Sequence, residues 1–224
     1  MPDTKGHLLP VYVLADESAS MTDYAGELND GLISLCEALR SEPMIASKVR
    51  LSVLGFSDNV AVRMALVDLR YQEGLPGLVI RSTTNYQAVF QDLLDRIPRD
   101  IRTLKGDGYL VHRPAVFFLS DGQPNNANWY QPHQLLTDKR TTPTAPNIIA
   151  CGVGSVLPDT ILQVATKEEF AFVSVPGVDI GRAIAKFFVA LTASIVQSGR
   201  SLTSGNPELV VEKPEGFRMA IDVV

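Results

Sequence analysis

Asp16, Ser18 and Ser20 stand at alternate positions directly after the apolar run Val11-Tyr12-Val13-Leu14-Ala15. A carboxylate followed by two hydroxyls in a tight turn offers hard oxygen donors to a cation such as Mg²⁺, so these residues are read as one lobe of a metal site. Asp and Ser are also the commonest turn and N-cap residues, and taken alone the pattern is better explained as a turn. Downstream, Pro114-Ala115-Val116-Phe117-Phe118-Leu119-Ser120-Asp121 repeats the design: an apolar run closed by an acid, with Gly122 and Pro124 turning the chain. A carboxylate at the edge of an apolar sheet is costly without a charge partner. No Lys or Arg adjoins either acid in sequence. A cation shared by Asp16 and Asp121 would satisfy both.

The elements that must position these groups follow from periodicity. Five apolar residues in a row suit a strand buried on both faces, and ligands of open α/β sheets bind at the carboxyl ends of such strands. Leu28, Leu32, Leu35 and Leu39 give the stripe of a helix running from near Asp23 to before Pro43. Residues 48–56 read as a strand. The turn Ser57-Asp58-Asn59 is so short that the next strand, 60–69, must be antiparallel. A loop over 72–81 delivers Ser82-Thr83-Thr84-Asn85 to a helix with face Tyr86, Val89, Phe90, Leu93, Leu94 and Ile97, expected to end at Pro98. Thr83 or Thr84 is its expected N-cap. Residues 98–113 read as loop, and 125–146 as a helix between long loops, with Trp129 and Tyr130 assigned to the core in preference to an exposed binding rim. Strands at 147–154 and 170–175 alternate with a helix at 158–166 and a last helix capped by Asp179. The expected fold is α/β: a Rossmann-like doubly wound, mostly parallel sheet with one antiparallel edge strand. The domain is expected over 8–197, followed by a linker and tail over 198–224. That tail is expected to be disordered, to add a strand to its own domain, or to engage a partner by strand addition.

Composition narrows the function. The chain has 224 residues, 46% apolar and 20% charged, with a net charge of -5, as in ordinary soluble globular proteins. Mild acidity argues against nucleic acid as a partner. Cys36 and Cys151 suggest neither a disulfide framework nor a thiolate metal site and are read as buried free thiols of a reducing compartment. The first ten residues lack an apolar leader segment, and no stretch approaches the ~18 to 20 apolar residues of a membrane span. A cytoplasmic protein without membrane contact is expected. His7, His112 and His133 are read as surface residues, and no phosphate-cradling G-x-x-x-x-G-K-[ST] loop is present. The alternative, a Mg²⁺-dependent phosphoesterase or phosphatase-like enzyme, would want a second acid two residues after Asp16, where Ser18 stands. Binding is expected rather than catalysis.

Asp16-Glu17-Ser18-Ala19-Ser20, the Thr84-Asn85 step and Leu119-Ser120-Asp121-Gly122-Gln123-Pro124, in that order, resemble a von Willebrand factor type A (VWA) domain with its metal-ion-dependent adhesion site. The resemblance covers about residues 8–197. Leu9-Pro10-Val11-Tyr12-Val13-Leu14, Lys105-Gly106-Asp107 and 118–124 resemble most the bacterial TerY group, associated with tellurite-resistance and stress gene clusters. The resemblance implies that Asp16, Ser18 and Ser20 form the first ligand loop, Thr84 the second and Asp121 the third; Thr84 is preferred to Thr83 because the family's ligand Thr opens the helix. It implies Mg²⁺, Mn²⁺ or Ca²⁺ as the metal, and a protein partner whose Asp or Glu completes the coordination. The TerY group is linked with kinase- and phosphatase-like proteins, which implies a scaffold in a phosphorylation system. Ala19 stands where the family usually has Gly, and Ser82-Thr83 replaces the glycines often found before the ligand Thr.

Overall fold

The computed structural model describes residues 5–204 and 207–222. The first apolar run forms β1 (His7–Asp16), buried at every residue after the first. It lies mid-sheet, parallel to β2 (Val49–Phe56) on one side and to β5 (Ala115–Ser120) on the other. The three-residue turn makes β3 (Val60–Val67) the antiparallel edge beyond β2, as its length requires. Beyond β5, β6 (Asn147–Gly152) and β7 (Ala171–Ser174) continue the parallel set. With a last strand, β8 (Phe217–Met219), beyond β7, the sheet reads β3-β2-β1-β5-β6-β7-β8. It is the expected doubly wound architecture, and the chain reverses its direction of winding between β1 and β5.

Alternation along the strands divides the core into two layers. Val11, Val13 and Ala15 pack with α1 (Ala25–Arg40) and α6 (Ile180–Thr203). Tyr12 and Leu14 pack with α3 (Tyr86–Gly106), α4 (Tyr130–Thr137) and α5 (Pro158–Val164). A one-turn helix, α2 (Pro43–Ala46), follows α1. Trp129 is 1% exposed, wedged between Tyr86 and Phe90, whereas Tyr130 stacks on it and is 41% exposed. The core assignment therefore holds for the first of the pair only. Cys36 and Cys151 are buried free thiols.

Several expectations are corrected. Helix α3 does not end at Pro98 but continues to Gly106. Proline removes one helical hydrogen bond, a cost of about 3 kcal/mol. Burial of Ile101 and Leu104 beyond it, at roughly 1.5 to 3 kcal/mol each, offsets that cost, and Asp100 accepts a 3.0 Å hydrogen bond from Tyr12. Part of the stretch read as loop is a short strand, β4 (Leu110–Val111), beside the start of β1. His133 is buried, its Nε2 2.9 Å from the Val164 carbonyl, because the aromatic layer of Phe90 and Trp129 takes it in. By length and composition α6 could cross a membrane, contrary to the expectation that no stretch approaches one. Half of that window is buried inside the fold, so packing on α1 and the sheet accounts for its apolar face.

Residues 198–203, which looked like linker, are the last turns of α6. With Ser194 one turn earlier, their hydroxyls receive the returning chain: Ser194, Ser198 and Ser201 accept from the amides of Glu212, Val210 and Glu208 at 2.9, 2.9 and 3.0 Å. The strap so formed leads to β8 (Phe217–Met219), antiparallel to β7. Of the alternatives for the tail, it is the chain's own sheet that gains a strand, and a second antiparallel edge results.

Candidate metal centre

The point between β1 and β5 where the winding reverses is where open α/β sheets bind ligands, and both strand-terminal acids lie there. Ala15 is paired with Leu119, which sets Asp16 beside Ser120 and brings Asp121 just past the sheet edge. Ser120 Oγ donates to Asp16 Oδ2 at 2.6 Å, and the Ser18 amide donates to Asp16 Oδ1 at 2.9 Å. The second contact is the local turn that an Asx residue makes, so the turn reading and the metal reading are compatible. Ser20 Oγ donates to Asp121 Oδ1 at 2.8 Å and lies 3.0 Å from Ser18 Oγ. With the Ser20 proton committed to Asp121, Ser18 is the donor of that pair, and a relay runs Ser18, Ser20, Asp121.

Thr84 reaches the same place by elimination among four consecutive polar residues. Ser82 Oγ and Thr83 Oγ1 both donate to the carboxylate of Asp58, at 2.6 and 2.5 Å. Asn85, not Thr83 or Thr84, caps α3, accepting from the Ala88 amide at 3.2 Å. Among the described residues, Thr84 Oγ1 alone of these side chains makes no hydrogen bond. It faces Gly122: a Cβ there would lie 3.2 Å from Thr84 Oγ1 and 3.9 Å from Asp16 Oδ2. Gly122 thus leaves space open between the second loop and the first acid. Ala19, at the position where VWA domains usually have Gly, has no positive φ; it opens a 3₁₀ turn (Ala19–Tyr24) and its amide donates to the Ser82 carbonyl at 3.1 Å. The geometry asks for no glycine there.

The donor set fits a hard divalent cation. Asp16 is 0% and Asp121 6% exposed, and among the described residues neither forms an ion pair. A neighbouring acid makes the contrast: Glu17 is equally buried but is bound by Arg63 and Arg81. Two uncompensated carboxylates match the charge of one divalent ion, and the three hydroxyls are neutral oxygen donors. No group of three or more His, Cys, Asp and Glu side chains is set to hold a metal among the described residues, so the candidate depends on those hydroxyls. Ser120, Glu17 and Asp58 were not singled out from sequence. Ser120 owes its role to β1–β5 register, and no local motif announces it.

Burial raises the Asp16 carboxyl from 3.8 to about 6 against the hydrogen bonds from Ser120 and Ser18, with a small further push from Asp121. Asp121 is raised for the same chief reason. A carboxyl whose folded pKa lies above its unfolded one stabilises the fold fully below the unfolded value, and that contribution is lost as pH rises through the folded value. Metal-free wild type is therefore expected to gain stability relative to Asp16→Asn between pH 7 and pH 4, by at most about 3 kcal/mol. Proton and cation compete for the same oxygens, so cation affinity should fall below about pH 6. Denaturant unfolding and calorimetric titration across this range check both; a flat difference would remove the uncompensated charge from the account.

Searched against family models and against curated proteins, the sequence finds no match. Solved structures do match. Proximal thread matrix protein 1 from the mussel byssus aligns over 86% of this chain and 49% of its own, at 14% identity and TM-score 0.58. The form of that protein described as having a zinc-occupied MIDAS motif aligns over 84% and 46%, at 18% identity and TM-score 0.51. A von Willebrand factor type A structure from Catenulispora acidiphila aligns over 85% and 43%, at 13% identity and TM-score 0.51. The chain spans about half the length of these structures or less. Likeness at such identities establishes the fold, and the fold is that of VWA domains.

Proposed function

We propose that this chain is a metal-dependent protein interaction module. In this reading Asp16, Ser18, Ser20, Thr84 and Asp121 hold a divalent cation, and an Asp or Glu of a protein partner completes the coordination. The observation that carries it is the pair of buried carboxylates, without an ion-pair partner among the described residues, meeting the unengaged Thr84 hydroxyl at the reversal point of the sheet. A zinc-occupied MIDAS motif in a structure of the same fold supports it. Once bound, the cation supplies one electrophilic position that a partner's carboxylate can fill. The chain's own residues do the rest: Ser120 and the Ser18 amide orient Asp16, Ser20 orients Asp121, and the buried strand ends keep bulk water from the acids. All-oxygen donors favour Mg²⁺, with Mn²⁺ or Ca²⁺ as substitutes.

The reading extends to setting. Resemblance to the TerY group supports a bacterial, cytoplasmic scaffold in a stress or tellurite-resistance-associated phosphorylation system, with kinase- or phosphatase-like partners. It is a reading of binding and not of catalysis. His133 is committed to Val164, while His7 and His112 belong to the amino end of β1, away from its carboxyl end. Purified protein with Mg²⁺ or Mn²⁺ should hydrolyse phosphate monoesters no faster than its Asp16→Ala variant. Metal-dependent turnover abolished by that substitution would instead establish a phosphatase-like enzyme.

A further inference from the structure

Glu17 sits inside the first ligand loop without belonging to the donor set, and it is fully buried. Strand parity turns it away from Asp16 toward β2, where Gly55 makes room: a Cβ at Gly55 would lie 2.1 Å from the Glu17 carboxyl. Its two oxygens accept four N–H groups. Oε1 takes Arg63 Nε at 2.7 Å and the Val79 amide at 3.0 Å; Oε2 takes Arg63 Nη2 at 2.8 Å and Arg81 Nε at 3.0 Å. The remaining guanidinium nitrogens of Arg81 donate to Asn59 Oδ1, to the Asn59 carbonyl and to the Gly55 carbonyl. Backbone bonds run alongside, from Arg81 N to Glu17 O at 2.6 Å and from Ala19 N to Ser82 O at 3.1 Å.

Apart from the two bonds from Arg63, which tie Glu17 to β3, each of these contacts involves residues 79–82, the segment just before Thr84. That segment carries no regular secondary structure, so no ladder of its own fixes its height over the sheet. The buried Glu17 carboxylate, together with those two backbone bonds, pins it to the loop that bears Asp16, Ser18 and Ser20. The turn of β2 and β3 pins it from the outer side, through Asp58 to Ser82 and Thr83 and through Ser57 Oγ to the Ser82 amide at 3.0 Å. The arrangement is bidentate and planar at Arg63, a geometry that Lys or a neutral partner does not reproduce.

We infer that Glu17 is a positioning residue of the candidate metal centre: with Arg63 and Arg81 it sets the distance between the first ligand loop and Thr84. The inference rests on the metal-binding reading above. Residues that orient ligands typically change metal affinity by about 10- to 100-fold when substituted, and Glu17→Gln should weaken Mn²⁺ by that much. The test is a double-mutant cycle in Mn²⁺ affinity, measured by calorimetry, among wild type, Glu17→Gln, Thr84→Ala and the double variant. If Glu17 acts through Thr84, its effect largely vanishes in the Thr84→Ala background, a non-additivity that general destabilisation does not produce. Should Glu17→Gln fail to fold, the same cycle with Arg81→Lys decides, since that side chain is about one-fifth exposed. Unchanged affinity in the folded variant, or an equal loss with and without Thr84, overturns the inference. Wild type that binds no Mn²⁺ overturns the metal reading itself, and with it this one.

Discussion

Saturating Mg²⁺ or Mn²⁺ is expected to raise the thermal midpoint of the wild-type protein and to leave Asp16→Ala and Asp121→Ala where they stand without metal. A ligand at 100 times its Kd stabilises by about 2.7 kcal/mol, which for a chain of this length corresponds to roughly 5 to 10 °C. The physical basis is the charge imbalance at the reversal point. Asp16 and Asp121 are buried among hydroxyls and backbone amides, and among the described residues their ionised forms lack the charge compensation that Arg63 and Arg81 give to Glu17. A cation replaces lost hydration at both. If Asp16 were only a turn residue for the Ser18 amide, its removal would lower the midpoint by the same amount with and without metal, and the metal shift would survive. Equal shifts in wild type and both variants would refute the site.

Capture of the partner should fail in chelator and in Asp121→Ala, and should fail again when the partner's contacting Asp or Glu is replaced by Ala. Truncating one member of a buried charged pair costs about 2 to 5 kcal/mol, so affinity should fall at least about thirtyfold. All three losses share one origin, because each removes a member of the same coordination shell. Asp121 is the informative choice within the protein: it follows β5 at the sheet edge, and among the described residues its carboxylate accepts from one side chain, the Ser20 hydroxyl. Binding that withstands both chelator and Asp121→Ala would move recognition elsewhere, with exposed Tyr130 the first surface to examine.

Much of the fold was legible because its signals are local. A strand buried on both faces has to be a continuous apolar run, so β1 and β5 announced themselves, as did the acids that end them. The three-residue turn before β3 left only an antiparallel pairing. Pro98 misled because the cost of a proline is local, whereas the burial of Ile101 and Leu104 that outweighs it is tertiary. The serines of α6 misled for a related reason: hydroxyls and glycine read as linker until the partners appear, and here those partners are amides of residues 208–212. His133 could not be read as buried without knowing that Phe90 and Trp129 close around it.

The sequence by itself determined the chemistry on offer: two acids at strand ends, hydroxyls at alternate positions after the first, and a run of four polar residues opening α3. Tertiary structure decided which of those groups remain free to bind. Strand register set Ser120 against Asp16, Asp58 and the helix cap consumed Ser82, Thr83 and Asn85 and left Thr84, and strand parity turned Glu17 away to meet two arginines. The physical reason is that a side chain's type is covalent, whereas its availability depends on which hydrogen-bond and charge partners lie within about 3 Å, and in a doubly wound sheet those partners come from distant parts of the chain.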